Sequence, residues 1–142
     1  VQGIILTQYT LQAVFGPNHT IRTQMPMDLG QSSDPEPDVV VVPGGPRAQP
    51  RHHPTTALLV VEVADTSLDY DTTTKAELYA AAGTADDWVL DLTGRRRLVF
   101  RDPAPIVAGG TAYHTHHTHG PADSVAPLAA PNSPVRVADL LP

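Results

Sequence analysis

The sequence predicts an α/β domain with a mixed sheet and flanking helices, and three observations lead to that prediction. Residues 58–64 form an almost continuous apolar run, which is typical of a strand covered on both faces. A helical pattern over residues 72–82 follows it, and a second apolar strand over residues 87–92 comes next. This order indicates two parallel strands joined by a helical crossover. The length of 142 residues suits one domain with its own core.

The other elements follow from periodicity and turn residues. Apolar residues at helical spacing predict a helix over 1–15, which Gly16 and Pro17 end. We expect strands over 20–28, where Pro26 favours an edge or a bulge, and over 38–42. The turn at Thr93-Gly94 predicts a hairpin between strands 87–92 and 96–101.

The domain is predicted as one unit, 1–142, with its core over 20–101. A polar turn is expected near 30–38, and the Pro- and Gly-rich segment 43–57 reads as a long loop, which often has a function. Residues 103–142 have little periodicity, so we expect irregular structure there, with one strand near 111–118 and a closing segment, VRVADLL.

Composition narrows the classes of function. The chain has no cysteine, which excludes disulfides, a thiol nucleophile and Cys-type zinc sites. No apolar run is long enough for a membrane span and no signal peptide is recognisable, so we expect a soluble, cytoplasmic protein. The net charge of −6 is not that of a typical nucleic-acid binder. Lys75 is the only lysine beside eight arginines, which makes its position informative.

Glu62 interrupts the apolar run, and its position points to Asp38. A carboxylate within a buried strand is costly unless a cation or hydrogen bonds compensate it; the alternative is an edge strand with Glu62 in water. If strands 38–42 and 58–62 form an antiparallel hairpin with Val40 opposite Val60, Asp38 lies opposite Glu62. Two opposed carboxylates need a positive charge between them, and a divalent hard cation is the natural ligand.

Lys75 completes a candidate catalytic site. It lies in the first turns of the helix that follows the strand of Glu62, so its ammonium can reach the same corner of the sheet. Two carboxylates and an ammonium suit metal-assisted hydrolysis of a phosphodiester, in which the metal activates water and the lysine stabilises developing charge. An ordinary structural ion pair between Glu62 and Lys75 is the alternative.

These residues resemble a known family. Pro37-Asp38, Glu62-Val63, Asp71-x3-Lys75, Tyr79, Gly83 and Trp88-Val89-x-Asp91 are similar to the pattern of the Uma2 (DUF820) family, most specifically over residues 34–101. That family is assigned to the PD-(D/E)XK nuclease superfamily. The resemblance implies a restriction-endonuclease-like fold, DNA as the substrate, and Mg²⁺ with Mn²⁺ as its substitute. It assigns the metal to Asp38 and Glu62 and completes the site with Lys75.

The chain departs from the family pattern in several places. Ala64 stands where the simplest form of the motif has its lysine, which fits a lysine moved onto the helix at Lys75. Asp65 stands where serine is frequent, and residues 1–15 lack the usual Tyr-Glu-Leu and Asp-Gly pattern, so we expect an N-terminally short member. The competing hypothesis is therefore a catalytically inactive nuclease fold that acts as a binding or regulatory module.

Other features admit two interpretations. Asp71 is interpreted as a helix cap, with an outer-shell role at the metal site as the alternative. We expect the cluster Arg95 to Arg97 to be a solvated turn rather than a phosphate contact, and Tyr79 and Trp88 to be packing residues.

Four histidines, at positions 114, 116, 117 and 119, fall within one predicted strand. Two on one face could chelate a metal; we expect an exposed segment that binds metal only adventitiously. An uncovered part of the sheet predicts a homodimer.

Overall fold

A six-stranded mixed sheet is the centre of the protein, whose computed structural model describes residues 1–29, 35–48 and 55–142. The strands lie in the spatial order β1-β2-β3-β4-β5-β6. Their bounds are β1 His19–Thr23, β2 Val39–Pro43, β3 Leu59–Ala64, β4 Asp86–Asp91, β5 Arg96–Pro105 and β6 Thr111–His119. The predicted polar turn and long loop fall in part on residues 30–34 and 49–54, which lie outside the described residues.

The pairing of the strands confirms the predicted mixed α/β sheet. β2 pairs antiparallel with β1 and β3, whereas β3 and β4 are parallel and are joined through helices. β4, β5 and β6 then continue as an antiparallel meander. Val40 lies opposite Val60, so the predicted register of the β2–β3 hairpin is confirmed.

One face of the sheet packs against helix α1 (Gln2–Phe15) and the C-terminal segment. Gly3 lets the helix approach closely, since a Cβ there would lie 3.0 Å from Cγ1 of Val63. The closing segment, expected to be irregular, contains strand β8 (Val135–Arg136), which pairs with β7 (Ser124–Val125). It adds four buried side chains to the main core: Val135, Val137, Leu140 and Leu141.

The opposite face packs against helices α2 (Leu68–Thr72) and α3 (Thr74–Ala81). The helix predicted over 72–82 is present as α3, but the prediction missed α2, which begins at Leu68 and is separated from α3 at Thr73, with φ −117° and ψ −81°. The prediction of a strand to residue 28 was also too long. β1 ends at Thr23 because Gln24 adopts a left-handed φ of 49°, which a strand cannot continue through.

Two adjacent aspartates in β4 are both buried, on opposite faces of the sheet, but they differ in their hydrogen-bond partners. Asp86 is fully buried and accepts hydrogen bonds from the indole of Trp88 at 2.9 Å, from the guanidinium of Arg101 at 2.9 and 3.3 Å, and from the amide of Leu128 at 3.0 Å. Asp87 points to the opposite face, which α2 and α3 cover. It is equally buried, and neither of its carboxylate oxygens has a hydrogen-bond partner among the described residues. Burial raises its pKa well above the usual value, and the charge of Glu62 adds to this shift.

We expect Asp87→Asn to stabilise the protein increasingly as pH rises. Because the pKa is raised in the folded state, the contribution of Asp87 is most favourable below the unfolded-state pKa of about 3.9 and falls as pH increases. The slope is about 1.4 kcal/mol per pH unit until the folded-state pKa is passed. The measurement is the melting temperature of both proteins from pH 4 to pH 8; a constant difference would contradict the expectation.

Asp86→Asn is the matched change on the opposite face, and we expect it to destabilise the protein. It leaves the guanidinium of Arg101, which is 20% exposed, without its ion-pair partner. Breaking a buried pair on one side costs about 3–5 kcal/mol, and the amide retained here places the expected loss of unfolding free energy at the lower end. Urea denaturation at pH 7 measures it, and a loss no larger than that of the exposed change Asp139→Asn would contradict it.

Candidate active site

Glu62 lies in the central part of the sheet, with β2 on one side of its strand and β4 on the other. Its exposure is 1%, so the alternative of an edge strand with Glu62 in water is wrong. The carboxylate is held on the face that α3 covers, where it must be compensated by side chains from that helix.

Helix α3 supplies both compensating groups. The Lys75 ammonium lies 2.9 Å from Oε2 of Glu62, and the Tyr79 hydroxyl donates a hydrogen bond of 2.8 Å to Oε1. Lys75 and Tyr79 are four residues apart and therefore share one helix face. The prediction for Tyr79 was incomplete: the ring is buried as expected, but its hydroxyl belongs to the site, and the spacing from Lys75 is the signal that indicates it.

Asp38 directly precedes β2, and its side chain contacts β3, the strand of Glu62. Its Oδ2 accepts a hydrogen bond of 2.7 Å from the amide of Val63, directly after Glu62. The ladder that pairs Val39 with Val61 places Asp38 opposite Glu62 when it is continued by one step. The Lys75 ammonium also donates a hydrogen bond of 3.2 Å to the carbonyl of Glu36, so the lysine links β3 to the approach to β2.

Asp71 lies beside this group, and its interpretation as a helix cap was wrong. Because α2 begins at Leu68, Asp71 is inside the helix; it is buried and accepts a hydrogen bond of 2.7 Å from the hydroxyl of Ser67. One of its oxygens lies 4.0 Å from the Lys75 ammonium. This position is compatible with the outer-shell alternative, in which Asp71 orients Lys75.

The electrostatics of the group are unbalanced. Burial raises the pKa of Glu62 to about 7 against the attraction of Lys75, and the nearby charge of Asp38 contributes to the shift. Burial also raises the pKa of Asp71, with a contribution from Asp38. Burial alone would lower the pKa of Lys75, but the attraction of Glu62, Asp71 and Asp38 raises it. Three carboxylates therefore share one ammonium, an arrangement that favours an additional cation.

The oxygen donors fit a hard divalent cation. Among residues 1–29, 35–48 and 55–142, no three His, Asp or Glu side chains converge as a complete metal cage. Mg²⁺ does not need one, because it is commonly bound by one or two carboxylates together with waters and substrate phosphates. Asp38 and Glu62 can supply those two carboxylates, since each oxygen of Glu62 accepts only one hydrogen bond from Lys75 or Tyr79.

A cleft of about 710 Å³ lies at the C-terminal ends of β3 and β4, and Asp38, Glu62 and Lys75 are not among the residues that line it. Tyr70 lines it, and the centre of its ring is 6.0 Å from the Lys75 ammonium. Arg96 also lines the cleft and is paired with Asp91 at 2.8 Å. Ligands of open α/β sheets bind at this end of the strands.

The three-arginine cluster divides between different environments. Arg95 is exposed on the β4–β5 turn, as expected for a solvated turn. Arg97 is fully buried on the α1 face, where its guanidinium lies 4.5 Å from the ring centre of Trp88 and donates a 3.0 Å hydrogen bond to the carbonyl of Val135. The prediction of a solvated arginine was therefore wrong at Arg97. Among the described residues, no helix has the length and apolar character needed to cross a membrane.

Comparisons with known proteins agree with the fold and the residue pattern. The model of the Uma2 family, described as "Putative restriction endonuclease", matches residues 4–133. The crystal structure of a protein from Anabaena variabilis ATCC 29413, described as a putative nuclease belonging to DUF820, is similar with a TM-score of 0.73 and 15% sequence identity. The similarity covers 98% of this chain and 78% of that one. No curated protein matches the sequence significantly.

The family match extends over most of the chain, including Asp38, Glu62 and Lys75, and the structural likeness shows the same fold. The chain therefore belongs to the Uma2 family of restriction-endonuclease-like proteins.

Proposed function

We propose that the protein is a metal-dependent endonuclease that hydrolyses phosphodiester bonds of DNA. The observation that carries the proposal is the placement of the only lysine against a buried carboxylate in the central strand, with Asp38 held beside it. Membership of a family described as restriction endonucleases supports the same reaction class.

In this proposal Asp38 and Glu62 hold Mg²⁺, for which Mn²⁺ substitutes. The bound metal would polarise the phosphoryl oxygen and lower the pKa of a water molecule. Lys75 and Tyr79 each donate one hydrogen bond to an oxygen of Glu62, and because a carboxylate has about four acceptor positions, both oxygens can still contact a metal. The Lys75 ammonium can contact the substrate phosphate when it moves away from Glu62.

The remaining side chains have positioning roles. The Lys75 ammonium stabilises the negative charge that develops on the phosphate. Tyr79 keeps one oxygen of Glu62 fixed through its hydroxyl, and Asp71 holds the lysine near the site at 4.0 Å. We place the nucleic-acid strand in the cleft that Tyr70 lines, because the centre of the Tyr70 ring is 6.0 Å from the Lys75 ammonium.

A second candidate function is an inactive nuclease fold that serves as a binding or regulatory module. The contact between Glu62 and Lys75 is the observation that favours this function. The Glu62 carboxylate is 1% exposed and each of its oxygens accepts a hydrogen bond, as expected for a structural ion pair. The net charge of −6 makes a nucleic-acid partner less favourable for such a module.

Site variants should separate these functions by activity. We expect Asp38→Asn, Glu62→Gln and Lys75→Met each to reduce magnesium-dependent cleavage of plasmid DNA by at least about 100-fold, the scale observed when one preorganised electrostatic group is removed. Glu77→Gln, on the exposed side of α3, is the control for Glu62→Gln and should retain full activity. The measurement is the rate of DNA nicking in Mg²⁺, in Mn²⁺ and with EDTA.

Purified wild-type protein that cleaves no DNA in either metal would contradict the endonuclease proposal. Equal activity in the wild type and all three site variants would contradict the assignment of the site, because a contaminating nuclease produces that result.

Unfolding free energies should distinguish catalytic strain from a structural role. If the pair is only structural, Lys75→Met costs about 3–5 kcal/mol, since it leaves a buried carboxylate unpaired. In a site that holds excess negative charge, removing a carboxylate relieves repulsion, so we expect Asp38→Asn to be neutral or stabilising while activity is lost. Denaturant titration at pH 7.5 measures both; strong destabilisation by Asp38→Asn would indicate a structural role.

A further inference from the structure

Strand β6 carries a histidine pattern that the proposed nuclease site does not use. Its sequence from Thr111 to His119 contains four of the seven histidines of the chain. His116 pairs with Phe100 and lies on the face of α3, whereas His117 and His119 pair with Val99 and Arg97 and lie on the opposite face.

The four histidine rings differ in the contacts that they make within the chain. Nε2 of His114 lies 3.1 Å from the carbonyl oxygen of Ala104, and the ring of His116 packs against Phe100 with centroids 6.0 Å apart. The rings of His117 and His119 face each other with centroids 6.3 Å apart. Nδ1 of His119 has no hydrogen-bond partner among the described residues.

The pair formed by His117 and His119 suits a transition metal. A zinc ion lies about 2 Å from each imidazole nitrogen, so small rotations of two rings at this separation bring both to one ion. Arg97 repels a bound cation and Asp123 attracts it, so the two surrounding charges oppose each other.

The described residues of one chain do not complete such a site. Across the part of the chain that the structure describes, no group of three or more potential ligands converges, whereas zinc takes four. A second molecule can supply the further ligands.

The outer edge of β6 offers the route to a second molecule. β6 is the last strand of the sheet, and its outer edge pairs with no strand among the described residues. Edge strands are usually protected by lysine, other charged residues or proline, and Thr111–His119 contains no Lys, Arg, Asp, Glu or Pro. Thr118 in the middle of the histidine pair is exposed.

Symmetry then determines which residues meet. If two copies pair antiparallel with Thr118 opposite Thr118, His117 of each copy lies opposite His119 of the other. All four rings are on one face, and opposed Cβ atoms in such a pair are about 5 Å apart. Two-fold pairing of this kind closes after two copies and does not propagate into a fibre.

We propose that His117 and His119 are half of a four-imidazole site for a divalent transition metal of the zinc type, which a second copy of the chain completes by pairing along β6. This site is separate from the carboxylate site in ligand chemistry, since imidazole suits zinc and carboxylate suits magnesium. The sequence-based expectation that the tract binds metal only adventitiously is the outcome against which the proposal is tested.

The test is the mass of the protein in solution with Zn²⁺, with Mg²⁺ and with EDTA. We expect the 15.1 kDa chain to double its mass in Zn²⁺ alone, with one zinc bound per two chains. His117→Ala should abolish the doubling and weaken zinc binding by at least about tenfold, because it removes two of four ligands from the dimer. His114→Ala, at an exposed histidine of the same strand outside the proposed pair, is the matched control and should still dimerise.

Thr118→Lys tests the edge without removing a histidine. A lysine at the centre of the interface should prevent pairing by charge repulsion, while circular dichroism remains that of the wild type. One zinc per chain without dimerisation, or an equal loss of binding in His114→Ala, would mean an adventitious ion only and would overturn the proposal. Dimerisation that persists in EDTA would overturn the metal-bridged interface as well.

Discussion

The carboxylate of Glu62 in the central strand is the constraint on which the active-site face depends. A buried charge without partners costs several kcal/mol, so the sequence must bring compensating groups to it. Helix α3 does this with Lys75 and Tyr79, which share one helix face, and thereby fixes how α3 lies on the sheet. The approach to β2 is tied to the same point, since the ammonium also binds the carbonyl of Glu36. Fold and candidate chemistry therefore rest on one interaction.

The buried carboxylates on the two faces of the sheet differ in their partners. On the α1 face, Asp86 is satisfied by Arg101, Trp88 and the C-terminal segment, which makes it a structural anchor. On the α3 face, Asp87 has no hydrogen-bond partner among the described residues, and Glu62 has a raised pKa despite its lysine. The α1 face also has a buried group with unpaired atoms, since Nε and Nη2 of Arg97 have no hydrogen-bond partner among the described residues. The α3 face differs in that carboxylates with raised pKa values gather at one place, which is expected where a site is prepared for a cation.

The sequence predicts well what periodicity and register determine. The buried strand, the Val40–Val60 register and the approach of Lys75 to Glu62 follow from side-chain alternation and helix spacing, and the structure agrees with them. The sequence predicts poorly the positions at which an element ends or breaks, because these depend on the backbone conformation of a single residue or on its surroundings. The break at Thr73 and the end of β1 at Gln24 are local backbone conformations that no periodic pattern indicates.

Arg97 shows the same limit for side chains. Three consecutive arginines favour a solvated turn, yet strand alternation and the fold of the C-terminal segment bury Arg97 against Trp88. Its burial depends on contacts with Val135, 38 residues away, which sequence spacing cannot reveal.

Donor chemistry separates the two metal-binding proposals and makes them independent of each other. The carboxylates of Asp38 and Glu62 lie inside one chain, where two oxygen ligands with waters and substrate are sufficient for Mg²⁺. His117 and His119 lie on the outermost strand, where two nitrogen ligands are insufficient for a tetrahedral ion unless a second chain contributes. A site in the sheet centre can act in a monomer, whereas a site at the sheet edge requires association. Zinc would therefore bring two nuclease-like domains together along β6 without occupying the carboxylates of either.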